Sequence, residues 1–158
     1  MLKRNGSVLG CLEAERVALL RLKDAFNHPN GSSLLPSWQG HGDCCTWERV
    51  ICDNSTKRVT YLLLNYTRPH VLSNLQWSLN ASHFLPFHEL QGLDLSGNFM
   101  SALLGTLKLN NLQKLSFSNN MLTKVPSFGG NLLTNDKPLN GAQMLEGLVL
   151  DLLGWRIP

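Results

Sequence analysis

Residues 90–98 read Leu90-Gln91-Gly92-Leu93-Asp94-Leu95-Ser96-Gly97-Asn98, and residues 112–120 read Leu112-Gln113-Lys114-Leu115-Ser116-Phe117-Ser118-Asn119-Asn120. Both fit L-x-x-L-x-L-x-x-N, with Phe117 at the third apolar site, and the second starts 22 positions after the first (112 against 90). The centre of each motif alternates apolar and polar, the period of a strand with one face buried. Leu93, Leu95, Leu115 and Phe117 therefore point inward and the residues between them point out. Each closing asparagine, Asn98 and Asn120, sits where the chain turns inward. Its amide supplies both donors and acceptors to backbone groups that would otherwise be buried unpaired.

A 22-residue offset lies inside the roughly 20–29-residue period of leucine-rich repeats. Weaker copies flank the clean pair. Val59-Thr60-Tyr61-Leu62-Leu63-Leu64-Asn65-Tyr66-Thr67 keeps the apolar spacing with threonine in place of the asparagine. Leu145-Glu146-Gly147-Leu148-Val149-Leu150-Asp151-Leu152-Leu153 has leucine there. Between them residues 127–141, S-F-G-G-N-L-L-T-N-D-K-P-L-N-G, break the pattern where a strand is due near residue 134.

The chain has 158 residues, enough for one domain with a core, and its hydrophobic fraction is 43%. Charged residues make up 16% and the net charge is +3, scattered without a basic run. That excludes a nucleic-acid or anionic-membrane surface, which needs a basic stripe. No apolar run approaches the roughly 18 residues of a membrane span. The start M-L-K-R-N-G-S-V-L-G-C is basic but lacks the apolar stretch of a complete secretory signal.

Four cysteines stand at 11, 44, 45 and 52. A bond between adjacent Cys44 and Cys45 is excluded by the usual Cα separation of roughly 4.4–6.8 Å. Cys11 then reaches one of the pair and Cys52 the other, and both such pairings stay open. A zinc site on His41, Cys44, Cys45 and Cys52 lacks the paired knuckles of structural zinc. Sequons at Asn5, Asn30, Asn54, Asn65 and Asn80 agree with an oxidising compartment, and Asn30, Asn54, Asn65 and Asn80 are the expected glycosylation sites.

Residues 12–27 predict an amphipathic helix with Ala18, Leu19, Leu22, Ala25 and Phe26 on one face. Glu13 and Glu15 suit the positive end of its dipole, and Asn27-His28-Pro29-Asn30-Gly31 ends it. Trp38 and Trp47 add aromatic bulk. A stack of coils exposes apolar interior at its ends, so this cysteine-tied helix and hairpin reads as an end cap with Trp47 beneath the clip.

The segments Cys11-L-E-A-E-R-V-A-L-L-R-L-K, Leu35-P-S-Trp38 and Cys44-C-T-W-E-R-V-I-C-Asp53 resemble the plant-type N-terminal cap of leucine-rich-repeat proteins. Within that group the cap is most similar to plant receptor-like proteins and more distantly to polygalacturonase inhibitors, and the run Trp77–Asn98 closely resembles the first repeats of the receptor-like proteins. The resemblance covers residues 10–120. It implies an α/β repeat, a leucine-rich-repeat solenoid with a helical, disulfide-stapled cap, and the pairings Cys11–Cys44 and Cys45–Cys52. Its organisation is expected as a residual segment at 1–10, cap at 11–56, repeats at 57–126 and a degenerate repeat at 127–158. Glu48-Arg49-Val50 departs from the family's W-x-G-V by losing the glycine. With no further repeats and no membrane helix, a truncated product is expected.

The resemblance implies a non-catalytic recognition module in extracellular or cell-surface perception, defence or development. Its partner would be a protein or peptide ligand, with a co-receptor as a further partner. Outward strand positions form the ligand face: Tyr61, Leu63, Asn65, Gly92, Asp94, Ser96, Lys114, Ser116 and Ser118. A soluble polygalacturonase-inhibitor-like protein and a non-functional remnant are the alternatives. No enzyme motif is present, Gly40-His41-Gly42 lacking the third glycine of a dinucleotide loop, and no cofactor is expected.

Overall fold

The computed structural model describes residues 10–29, 33–72, 76–123, 126–129, 142–145 and 148–151. Residues 13–27 obey the helical apolar period and form α1 (Glu13–Asn27), with Leu19, Leu22 and Phe26 fully buried and Ala18 nearly so. Asn27 ends the helix as well as stopping it. Its amide nitrogen donates to Lys23 O and Leu34 O, and its oxygen accepts from Leu34 N at 2.8 Å, which folds the returning chain against the helix end.

Glu15 behaves differently from a dipole-favoured surface carboxylate. It is fully buried, accepting from Arg58 Nε at 2.9 Å and from Val59 N at 3.1 Å. Burial raises its pKa above the ordinary value, although both hydrogen bonds and the Arg58 charge act in the other direction. The side chain thereby ties the helix to the start of a strand 44 positions on.

Two disulfides tie the cap: Cys11–Cys44, with Cα atoms 5.7 Å apart, and Cys45–Cys52, at 5.5 Å. All four thiols are thereby used, which removes the zinc arrangement. One carboxylate oxygen of Asp43 accepts from both Cys11 N and Cys45 N and aligns the two bridges. Beneath them Trp38 is fully buried, donates to Glu48 O at 2.8 Å and stacks on Trp47 with centroids 6.0 Å apart. The helix, disulfides and matched tryptophans fit the expected cap.

The strands are β1 (Val50–Cys52), β2 (Val59–Leu63), β3 (Ser78–Asn80), β4 (Gly92–Asp94), β5 (Ala102–Leu104), β6 (Thr106–Leu107), β7 (Lys114–Ser116), β8 (Ser127–Phe128), β9 (Ala142–Leu145) and β10 (Leu148–Asp151). The main sheet has the order β1-β2-β4-β7-β10-β9. Its four inner strands run parallel, with β1 and β9 antiparallel at the edges. Two small parallel pairs, β3–β5 and β6–β8, lie apart from it. Leu62, Leu93 and Leu115 stand opposite one another and are all buried, so the apolar alternation of three segments closes on one core. Among the described residues no helix is long and apolar enough to cross a membrane.

The last parallel strand departs from the sequence reading. Leu150, not Leu148, pairs with Leu115, and Asp151 pairs with Ser116. Leu145 and Leu148 instead face each other across the antiparallel β9–β10 pair, so neither occupies the repeat position assigned to it. A two-residue shift keeps every side chain on its original face, which is why an alternating leucine run accepts either register. The strand expected near residue 134 lies outside the described residues.

Side-chain amides join neighbouring turns of the chain. Asn98 accepts from Thr67 N and Arg68 N and donates to Leu64 O, Leu95 O and Ser96 O. Asn120 repeats this one step on, accepting from Asn98 N and Met100 N and donating to Leu95 O, Phe117 O and Ser118 O. Arg68 carries the linkage into the cap. Its Nη1 donates to Phe26 O and His28 O at the helix end, and its guanidinium lies 4.4 Å from the Trp77 ring centroid.

Candidate functional site

The outward positions of the parallel sheet fall into rows because the strands are in register. Tyr61, Gly92 and Lys114 form the first row, and Leu63, Asp94 and Ser116 the second. Backbone bonds extend the ladder beyond the strands: Leu64 N and Tyr66 N donate to Asp94 O and Ser96 O, while Leu95 N and Gly97 N donate to Ser116 O and Ser118 O. Asn65, Ser96 and Ser118 are therefore a third row.

Nine residues expected to face a ligand thus lie side by side, but they are not equally accessible. Lys114 is exposed, Leu63 is 38% exposed, and Tyr61, Asn65, Asp94 and Ser116 are half-buried. Gly92, Ser96 and Ser118 are buried, against the expectation that they face solvent. The Tyr61 ring covers Gly92 so closely that a Cβ there would come within 2.4 Å of it. Ser96 turns its hydroxyl to Asp94 at 2.6 Å, and Ser118 pairs with Ser116 at 3.2 Å.

Between the first two rows lies an open depression of about 250 Å³, floored by Leu93 and Leu115 and flanked by Tyr61, Leu63, Asp94 and Lys114. Small-molecule pockets usually enclose roughly 300–1,000 Å³. The depression has room for a side chain of a larger partner rather than for a whole ligand. It offers an aromatic ring, an aliphatic side chain, a cation, a carboxylate and a hydroxyl, a set suited to contact.

Two contributors escape the strand pattern. Tyr66, 61% exposed, lies on Gly97 and accepts from Asn119 Nδ2 at 2.9 Å. The shared spacing of Tyr61 and Tyr66 with Gly92 and Gly97 is the sequence signal that identifies it. Arg49 occupies the position of the lost glycine with φ +66 and donates from Nη1 to Leu63 O and Asn65 O. Its side chain thus holds the end of β2, where the outer row begins.

Of the expected glycosylation sites, Asn54 is exposed in the turn between β1 and β2. Asn80 is exposed and accepts from Ser82 N, heading the short helical turn Ala81–Phe84. Asn65 lies in the third row; Asn30 falls outside the described residues, as does the remaining sequon at Asn5.

Residues 12–53 match the family model described as the leucine rich repeat N-terminal domain. Receptor-like protein 56 of Arabidopsis thaliana is 37% identical over 123 residues, covering 70% of this chain and 13% of that protein. Receptor-like protein 1 of Arabidopsis thaliana is 37% identical over 130 residues, covering 72% and 12%. Cuscuta receptor 1 of Solanum lycopersicum is 44% identical over 94 residues, covering 56% and 8%. The chain therefore spans only a small part of the length of these relatives. Among solved structures, a plant ice-binding protein aligns with a TM-score of 0.38 and 21% identity over 71% of this chain and 50% of that one.

Proposed function

We propose that this chain, which corresponds to the N-terminal region of plant leucine-rich-repeat receptor-like proteins, is a non-catalytic recognition module acting outside the cell. In this reading residues 11–56 cap a leucine-rich-repeat solenoid, residues 57–126 are its first repeats and residues 127–158 a degenerate one. The contact face is the accessible part of the first two rows: Tyr61, Leu63, Asp94, Lys114 and Ser116. The ligand is a protein or peptide, and its recognition serves signalling or defence.

The observation that carries the reading is the register that aligns these side chains across successive parallel strands. Neighbouring rows of short strands make a small patch, whereas stable protein interfaces bury roughly 800 Å² per partner. The face therefore contributes one part of a larger contact. A biotinylated chain presented to extracellular fluid with a cross-linker tests this. Capture should survive Arg21→Glu on the exposed side of α1 and be lost with Tyr61→Ala and Lys114→Glu. A partner captured equally by the sheet-face variants would sink the proposal.

A further inference from the structure

Asn65 is placed differently from the other described sequons. Leu62 and Leu64 are fully buried and Leu63 is 38% exposed, so Asn65 continues the outward alternation onto the sheet face. Arg49 holds its backbone carbonyl at 2.6 Å, while its side-chain amide takes no partner among the described residues. Beside it the face is low, because Ser96 and Ser118 are buried and turn their hydroxyls toward the second row. On the far side stands the exposed Tyr66 ring, braced by Gly97 and Asn119.

We propose that Asn65 carries an N-linked oligosaccharide that lies in the lane over Ser96 and Ser118, against Tyr66, and leaves the Tyr61–Lys114 side open. The proposal rests on the extracellular reading above and assigns the glycan a role in it: the sugar bounds the contact face on one side. The lane offers what a saccharide uses, an aromatic ring for its C–H faces and a floor without long side chains. Asn54 and Asn80 lie in neither row and leave the face clear.

In the transfer, Asn65 Nδ2 attacks the anomeric carbon of a lipid-diphosphate-linked oligosaccharide. The C–N bond forms, the C–O bond to the diphosphate breaks with its electron pair going to the diphosphate oxygen, and the proton lost from Nδ2 leaves with the lipid diphosphate or passes to water. In the fold Thr67 N donates to Asn98 Oδ1 and Thr67 Oγ1 to Leu64 O, so the acceptor triplet is locked. Transfer therefore precedes folding of this turn.

The full chain is secreted from plant cells as wild type, Asn65→Gln and Asn54→Gln, and glycopeptides are mapped by mass spectrometry. Asn65 is expected to be occupied. Hydroxyl-radical labelling of the folded proteins should then modify Tyr66 severalfold faster in Asn65→Gln than in wild type. Tyr61 should be unchanged, Asn54→Gln should alter neither tyrosine, and equal urea midpoints should show that the variants fold alike. Occupied Asn54 and Asn80 with bare Asn65 overturns this inference and leaves the extracellular reading standing. Asn30, Asn54, Asn65 and Asn80 all bare overturn both. An occupied Asn65 with no change at Tyr66 overturns the lane.

Discussion

At the scale of single residues, buried polar groups decide more than the apolar ones. Asn98 makes five hydrogen bonds, with the backbone groups of Leu64, Thr67, Arg68, Leu95 and Ser96, four of them buried and the one from Thr67 N part-buried. Asn98→Ala leaves Thr67 N and Arg68 N without an acceptor, and each orphaned buried group costs about 1–3 kcal/mol. The expected loss is about 3 kcal/mol or more, read as a lower urea midpoint at unchanged slope. Glu15 makes a pH prediction. Its folded pKa is raised, so its contribution is fully present below the unfolded value and is lost as pH rises through the folded one. Relative to Glu15→Gln, wild type should gain stability as the solution is acidified through that window toward pH 4.5. A difference that is flat across the acid range contradicts this. The asparagines are legible in the sequence because their role is local and recurs with the motif. Glu15 is not, because a carboxylate in a first helical turn already has a local explanation, and its partners Arg58 and Val59 are far along the chain.

At the scale of elements, β4 and β7 were readable because each carries the full motif, and β2 because its apolar spacing survives without the asparagine. The pairs β3–β5 and β6–β8 were not, since no L-x-x-L-x-L-x-x-N motif surrounds them and two or three residues alone hold too little period to register. The face of β2 and β4 was legible in its alternation but not in its exposure, because Tyr61 leans over its neighbour. Gly92→Ala forces that ring aside and should destabilise by about 1–3 kcal/mol, the usual cost of overpacking. Tyr61→Ala in the same chain should recover part of the loss, and additive effects in the double-mutant cycle would refute the contact. Arg49 before β1 sets two effects against each other. Left-handed backbone costs an L-residue about 1–2 kcal/mol, while its guanidinium holds two carbonyls at the end of β2. Arg49→Gly relieves the first and loses the second, and should be near neutral. Arg49→Val keeps the strain, loses the bonds, and should fall below the glycine variant by about 1–2 kcal/mol in urea unfolding.

At the scale of the whole molecule, the cap and the sheet are one structure: Glu15 reaches β2, Arg68 reaches the end of α1, and Phe26 packs on Trp77 with centroids 5.0 Å apart. The sequence shows each half separately, through cysteine spacing and leucine spacing. The contacts that join them involve residues with no periodic signal. The two disulfides differ in the way this linkage predicts. Cys11–Cys44 spans 33 positions and is buried, anchoring the segment before α1 to the short turn after Trp38. Cys45–Cys52 spans 7 and is half-buried, tying the short helical turn Cys44–Thr46 to β1, which the β1–β2 pairing already holds. Loop-closure entropy assigns about 3.7 kcal/mol to the longer bridge and about 2.4 to the shorter. Replacing Cys11 and Cys44 by serine should therefore lower the urea midpoint more than replacing Cys45 and Cys52. Exposure orders their chemistry the opposite way, since thiolate attack needs access. Under a limiting thiol reductant, alkylation should mark Cys45 and Cys52 first, while the buried pair reacts only as the molecule unfolds. Simultaneous alkylation of all four cysteines below the unfolding transition would show that the cap opens as a unit and that access to one bridge is not separable from the other.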